Sequence, residues 1–374
     1  MRTLGTLVLC ATVAASASAQ GTLSTQGFGY PSGGLSTHAE ALGGSIAEND
    51  ALSPVNPASL NSWGRPGFYF QYDPEFRSVN ANGQSDNTVT ARFPLLAGAL
   101  NIGPRLTLGI SSTTLLDRTW ETTHTGFAHF GPDSTLYSER FTTDGAINDV
   151  QAGLAFVVLP KLSIGVAGHV LAGQNRLLIT REFADTNYAI FNQGSTLSYS
   201  GHSFSAGFSY RPLSVLSISA SGNTGGTMRS SRNDTSLTSA RVPKRLGFGT
   251  VFGGISGILL SANAEWNGWS SMNGLAQSEI KAVDGWDYGV GAEVRSPSLF
   301  GTEFPVRLGY RHRVLPFEAG GVPVHEADYS FGVGIPINRG RSRVDLSVAH
   351  ATRSANLDVS EHAWIMSFGF FVRP

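Results

Sequence analysis

The sequence predicts an all-β fold: a transmembrane antiparallel β-barrel of about fourteen strands, with an N-terminal plug segment inside the lumen. Three observations predict it. Large apolar residues alternate with small or polar ones in segment after segment. In the last segment Trp364, Met366, Phe368, Phe370 and Val372 share one face, and Ile365, Ser367, Gly369, Phe371 and Arg373 the other. A period of two is the period of a strand. The second face is weak, filled with Gly, Ser, Ala and scattered charges, as in a barrel whose apolar side meets lipid. The connections, finally, alternate between short and long, which is the rhythm of up-and-down strands joined by tight turns at one end and longer loops at the other.

The N-terminus comes first. Arg2, the apolar run Leu4 to Ala15 and the small residues Ala17-Ser18-Ala19 fit an export signal, residues 1–19, with cleavage expected after Ala19. The one cysteine, Cys10, lies inside that run, so the mature chain is expected to hold no disulfide or thiolate metal site. No second apolar stretch is long enough for a membrane helix, so entry into a membrane would be as a barrel. A formal charge of −1 and only 14% charged residues suit a broad lipid-facing band. The same balance, without any basic stretch, argues against nucleic acid as a partner.

Residues 20–65 are rich in Gly, Ser, Pro and Asn and do not read as strand. Ser36 or Thr37 caps a short helix over 39–42 that Gly43-Gly44 ends. A lumen wider than side chains alone can fill needs such a segment to close it, although Asn56-Pro57 could also be a plain turn before the first strand.

Residues 66–374 form the barrel. Fourteen strands are expected near 67–73, 88–102, 104–120, 146–159, 161–180, 196–211, 213–230, 240–252, 257–270, 284–296, 304–315, 325–337, 342–354 and 362–373. Gly and Pro mark six tight turns, for example Gly103-Pro104 and Arg211-Pro212. Seven long connections alternate with them, near 74–87, 121–145, 181–195, 231–239, 271–283, 316–324 and 355–361, which sets both termini on the short-turn, periplasmic side. Leu106, Leu108 and Ile110, or Trp286, Tyr288 and Val290, face lipid, and Thr107, Gly109, Asp287 and Gly289 the lumen. A soluble two-sheet protein would have to bury the same apolar faces, and the rhythm of its turns would be accidental.

Short motifs add a family resemblance. Ala41-Leu42-Gly43-Gly44-Ser45-Ile46-Ala47, followed by Asp50-Ala51 and Asn56-Pro57-Ala58-Ser59-Leu60, resembles the N-terminal plug of the FadL/TodX family. Glu265-Trp266-Asn267-Gly268-Trp269-Ser270-Ser271, Arg307-Leu308-Gly309-Tyr310-Arg311, Tyr329-Ser330-Phe331-Gly332-Val333-Gly334 and the closing Ser367-Phe368-Gly369-Phe370-Phe371 resemble its strands. Ser59 stands where the family usually has Gly, and the chain runs past the aromatic pair into Val372-Arg373-Pro374. The resemblance implies a passive outer-membrane channel of a Gram-negative-type bacterium for hydrophobic small molecules such as long-chain fatty acids or aromatic hydrocarbons. It implies as partners the bilayer and its outer-membrane lipids, a hydrophobic ligand and, during biogenesis, the outer-membrane assembly machinery. The type IX secretion shuttle, PorV-like, shares the barrel class, so a secretion-accessory barrel is the alternative, and a polar diffusion porin is a third.

The plug motif residues are Gly43, Gly44, Asn56, Pro57 and Ala58. Arg307, Arg311 and Arg313 share the lumen-facing parity and could hold a ligand carboxylate. They could equally pair with the lumen acids Glu265, Asp287, Glu293 and Asp345. Phe68, Trp120, Tyr137, Trp266, Trp269, Trp286 and Trp364 read as belt aromatics at the membrane interfaces. No Gly-x-Ser-x-Gly elbow, P-loop or His-Glu-x-x-His occurs, and His124, His129, Asp133 and Ser134 sit in the longest connection, so no enzyme, cofactor or metal is expected.

Overall fold

The structure, a computed structural model, describes residues 29–81, 84–131, 133–275, 281–296, 303–337, 341–355 and 359–373. The expected signal segment 1–19 and the start of the plug segment lie outside the described residues. Among the described residues seventeen strands form one antiparallel sheet. They are β1 (Gly67–Ala81), β2 (Gln84–Arg92), β3 (Leu95–Ile102), β4 (Leu106–Asp117), β5 (Trp120–Phe130), β6 (Asp133–Leu159), β7 (Leu162–Phe183), β8 (Phe191–Leu213) and β9 (Leu216–Arg232). After these come β10 (Thr235–Arg241), β11 (Lys244–Ile255), β12 (Ile258–Gly268), β13 (Gly285–Arg295), β14 (Pro305–Ala319), β15 (Val322–Ile337), β16 (Ser342–Ser354) and β17 (Val359–Val372).

Three staves are built of two strands each. β2 and β3 both pair with β1, β4 and β5 with β6, and β10 and β11 with β9, so the barrel has fourteen staves. Two of the breaks fall at Pro94 and Pro243, residues without the N–H that a ladder needs. β17 closes the barrel on β1, with Phe68 opposite Val372 and Phe76 opposite Trp364. Closure leaves the sheet no free edge along this seam.

The alternation fixes the two faces. Val166, Phe204, Leu308, Tyr329 and Trp364 are exposed on the outside, while Asp345, Arg353, Glu326 and Ser367 are buried within. An apolar outer band around a polar interior is the pattern of a barrel in lipid. Among the described residues no helix is long and apolar enough to cross a membrane.

Most of the expected long connections are instead strand. β5 and β6 carry the stave through 120–159 in one hairpin, β7 runs on to Phe183, and β9 turns into β10 at Asn233-Asp234, both at positive φ. The physical reason is that β5 has no buried face and the buried positions of outer β6 are threonines, so their alternation carries no apolar stripe to read. Trp269 also departs from the expected belt. It is buried in a 3-10 turn, Trp269–Leu275, that folds inward at the mouth, where the Thr238 hydroxyl donates to Gly274 O.

Within the barrel, the plug runs from Tyr30 through α1 (Thr37–Glu40), which Ser36 caps, to a 3-10 turn, Pro57–Trp63, capped by Asn56. Leu42, Ala47, Ala58 and Trp63 are buried.

Candidate functional site: a plugged lumen with a break in its wall

The plug is docked backbone against wall. Gly43 has φ +62°, and a Cβ there would lie 2.6 Å from Tyr310 O; a Cβ on Gly165 of β7 would lie 2.6 Å from Pro57 O. A side chain at either place would push the segment off the wall. The small residues of the inward face therefore make room for the plug.

Polar contacts fix its register. Asn56 accepts from the Ala58 N–H at 3.0 Å and donates to Glu48 O and, across to the wall, to Phe208 O at 3.1 Å. The Thr37 N–H donates to Tyr69 Oη at 2.9 Å, Ser45 and Ser261 hydroxyls meet at 2.6 Å, and Gln151 donates to Pro54 O at 2.9 Å. His38 Nε2 lies 3.1 Å from Glu293 Oε2. Asp50 is buried, which alone would raise its carboxyl. Hydrogen bonding from His38, Ser36 and Ser53 outweighs that and holds it well below the usual carboxylate range.

The lumen wall carries several sets of ion pairs. Arg307 bonds Glu293 at 2.7 Å and Asp345 at 2.6 Å, Arg311 meets Asp287 at 2.9 Å, and Arg313 pairs with Glu326. Each of the three arginines singled out by parity thus already meets a wall carboxylate. Glu265 pairs with Arg245 at 2.6 Å, and Arg245 also holds Glu48 of the plug. Parity could not reveal the centre of the set that holds Arg313 and Glu326, which is Tyr30. Its ring lies under the guanidinium groups of Arg92, Arg313 and Arg353, at 4.9, 4.8 and 4.7 Å from its centre. Arg353 further meets Glu326 at 2.5 Å and Glu75 at 2.9 Å. A lone Tyr at the start of the plug gave no signal of this role.

Towards the mouth the interior changes character. Leu116, Ile147, Leu171, Tyr199, Met228 and Trp269 form a buried apolar cluster roofed by the 269–275 turn. Below it a chamber of about 140 Å³ is lined by both kinds of residue, Leu115, Val314 and Trp269 with Asp149, His169 and Arg245. Among the described residues, no cluster of His, Cys, Asp and Glu could hold a metal ion.

The wall itself is interrupted. The β3–β4 ladder ends at Leu95 and Thr113, with one further bond from the Thr114 N–H to Pro94 O. Beyond it, among the described residues, β2 pairs only with β1 and β5 only with β6. The opening between them, about 510 Å³, is lined by Thr88, Thr90, Thr119, Trp120, Glu121, Thr142 and Asp144, with Arg77 at its inner side.

Solved structures that share this fold include FadL-type barrels. A Pseudomonas aeruginosa FadL homologue is 12% identical, with a TM-score of 0.60 over 92% of this chain and 99% of its own. The Ralstonia pickettii toluene transporter TbuX is 16% identical, with a TM-score of 0.61 over 91% and 98%. The Pseudomonas putida toluene transporter TodX is 13% identical, with a TM-score of 0.56 over 93% and 99%. At these identities the likeness is one of fold. No curated protein sequence matches this chain. The BamG family model matches residues 1–217, from the N-terminus through the plug to the start of β9 and more than half of the 374 residues, so the chain belongs to the BamG family.

Proposed function

We propose that this barrel is a passive outer-membrane channel for hydrophobic small molecules, of the size of a fatty acid or an alkylbenzene. The observation that carries the reading is the break in the wall beside a plugged lumen. A docked plug leaves no straight aqueous path, which weighs against a polar diffusion pore. The break supplies another route. Eight residues of β3 at about 3.3 Å rise and about 40° tilt lift it roughly 20 Å above the short turn. That height is the outer part of a hydrocarbon core about 30 Å thick. An apolar solute held by the Leu116–Trp269 cluster could leave sideways into lipid through this opening.

Two further considerations support this reading. The related folds include proteins described as toluene transporters, and no nucleotide-binding motif is present in the sequence to drive uphill flow. The test is uptake of radiolabelled oleate or toluene by proteoliposomes with and without the protein. Faster entry with the protein is expected; equal entry would remove the transport reading. Capture of large secreted proteins with no effect on uptake would favour a secretion-accessory barrel instead.

A further inference from the structure

Three polar side chains on successive strands meet in the lumen beside the chamber. Asp149, His169 and Ser205 all point inward from β6, β7 and β8. In the ladders Asp149 stands opposite Leu171, and Ser205 opposite Ala167, so each is the diagonal neighbour of His169. His169 Nδ1 lies 2.9 and 3.1 Å from the two Asp149 oxygens, and its Nε2 lies 2.8 Å from Ser205 Oγ. A carboxylate only accepts, so Nδ1 carries the proton. The Nε2 of a neutral ring then accepts from the serine hydroxyl. Hydroxyl, base and orienting carboxylate thus stand in the bonding order of a serine nucleophile site, a constellation recognised by geometry and not by sequence position.

The surroundings fit that chemistry. His169 and Ser205 are buried yet line the 140 Å³ chamber with Asn223, Leu115 and Trp269. Asn223 stands directly opposite Ser205 in the β8–β9 ladder. Its side-chain oxygen accepts from the Arg245 N–H at 2.6 Å, so the amide N–H groups are the end with donors to offer a developing oxyanion. The chamber's apolar side offers a place for a short acyl or alkyl group.

We propose that Ser205, His169 and Asp149 form a hydrolytic site for small carboxylic esters entering the chamber. Ser205 Oγ attacks the ester carbonyl carbon as its proton passes to His169 Nε2. The bond to the alcohol oxygen breaks, and His169 returns the proton to that oxygen, leaving an acyl-serine. A water then attacks the acyl carbon, giving its proton to His169, and the carboxylic acid leaves as Ser205 recovers a proton. The sum is ester plus water to acid plus alcohol. Asp149 orients the ring and stabilises its charged form. The proposal stands apart from the transport reading, since a hydrolytic site can lie in a barrel that carries nothing.

The test uses the whole protein purified in detergent. A fluorophosphonate is added, the chain is digested and adducts are mapped by mass spectrometry, with an established serine hydrolase in the same tube as control. An adduct on Ser205 is expected, together with hydrolysis of 4-nitrophenyl butyrate that Ser205→Ala abolishes and His169→Gln lowers at least about 100-fold. Heat-modifiable migration checks that each variant is a folded barrel. A labelled control with an unmodified Ser205 in the wild-type chain overturns the proposal whatever the variants do, as does hydrolysis undiminished in a folded Ser205→Ala barrel. Loss of labelling in a folded His169→Gln barrel separates a base-activated serine from one that is merely accessible.

Discussion

The hydroxyl of Tyr30 donates a 3.0 Å hydrogen bond to Oε2 of Glu326, tying the start of the plug to a strand 296 residues away. Arg313 adds a bond to Pro31 O at 3.1 Å, and Asp117 exchanges backbone bonds with Tyr30 at 2.7 and 2.8 Å. The segment is thus held from three sides.

Tyr30→Ala should release it. Removing the ring leaves three guanidinium groups facing a void and costs about 3–5 kcal/mol, the range for deleting a large buried aromatic. Planar-bilayer recordings should show brief openings absent from the wild type. Tyr30→Phe keeps the ring over the arginines and should open far less. Identical traces for Ala and wild type would count against the latch.

Gly165→Val should unseat the 3-10 turn of the plug, because the new Cβ meets Pro57 O at 2.6 Å. The barrel ladder needs no glycine there, so heat-modifiable migration should persist while proteolysis of residues near Asn56 quickens. A variant as protease-resistant as the wild type would show that the wall yields instead of the plug.

Filling the break should slow exit. Thr90→Trp with Thr119→Trp places two indoles in the opening lined by Thr88, Thr90 and Thr119. Toluene uptake into proteoliposomes is expected to fall about fivefold, equivalent to roughly 1 kcal/mol, with conductance unchanged. Undiminished uptake would mean the solute leaves by another path.

Acid should act on the plug through Asp50. Its folded-state pKa lies below the ordinary value, so its contribution is complete above pH about 4, where the unfolded carboxyl is ionised. That contribution is lost as pH falls from there towards the depressed value. Plug release, followed by protease accessibility, should therefore appear only below about pH 4. Asp50→Asn, which cannot ionise, should show release already at pH 7. A mutant indistinguishable from the wild type at pH 7 would argue that Ser36, Ser53 and His38 hold the plug without it.

Much of the barrel was legible because lipid imposes a one-sided alternation. Residues 104–120 and 342–354 read correctly as strands, and the even count followed from the turns. What escaped were features with no apolar face or with long-range partners. The outer halves of β5 and β6 carry no apolar stripe, so their strands looked like loop. The break at Phe93-Pro94 falls inside the single strand expected over 88–102, and its meaning depends on β5 failing to pair with β2. Asp149, His169 and Ser205 each have inward parity, but only the registers of two ladders bring them together. Polar residues of inward parity on three successive strands were the available signal.

The plug also bridges the place where the barrel's two ends join. Thr37 bonds Tyr69 of β1 and, at 2.7 Å, Ser367 of β17, while Trp63 packs edge-on against Phe371 at 5.2 Å and accepts a bond from Arg373. Tyr69 and Phe371 are themselves register partners. Half of this binding site is therefore made last, some three hundred residues after the segment that occupies it. Seating the plug and zipping the first strand to the last become one cooperative event. A chain cut short before β17 should wait with its N-terminal segment loose, so a protected plug would serve as a built-in report that the cylinder is complete.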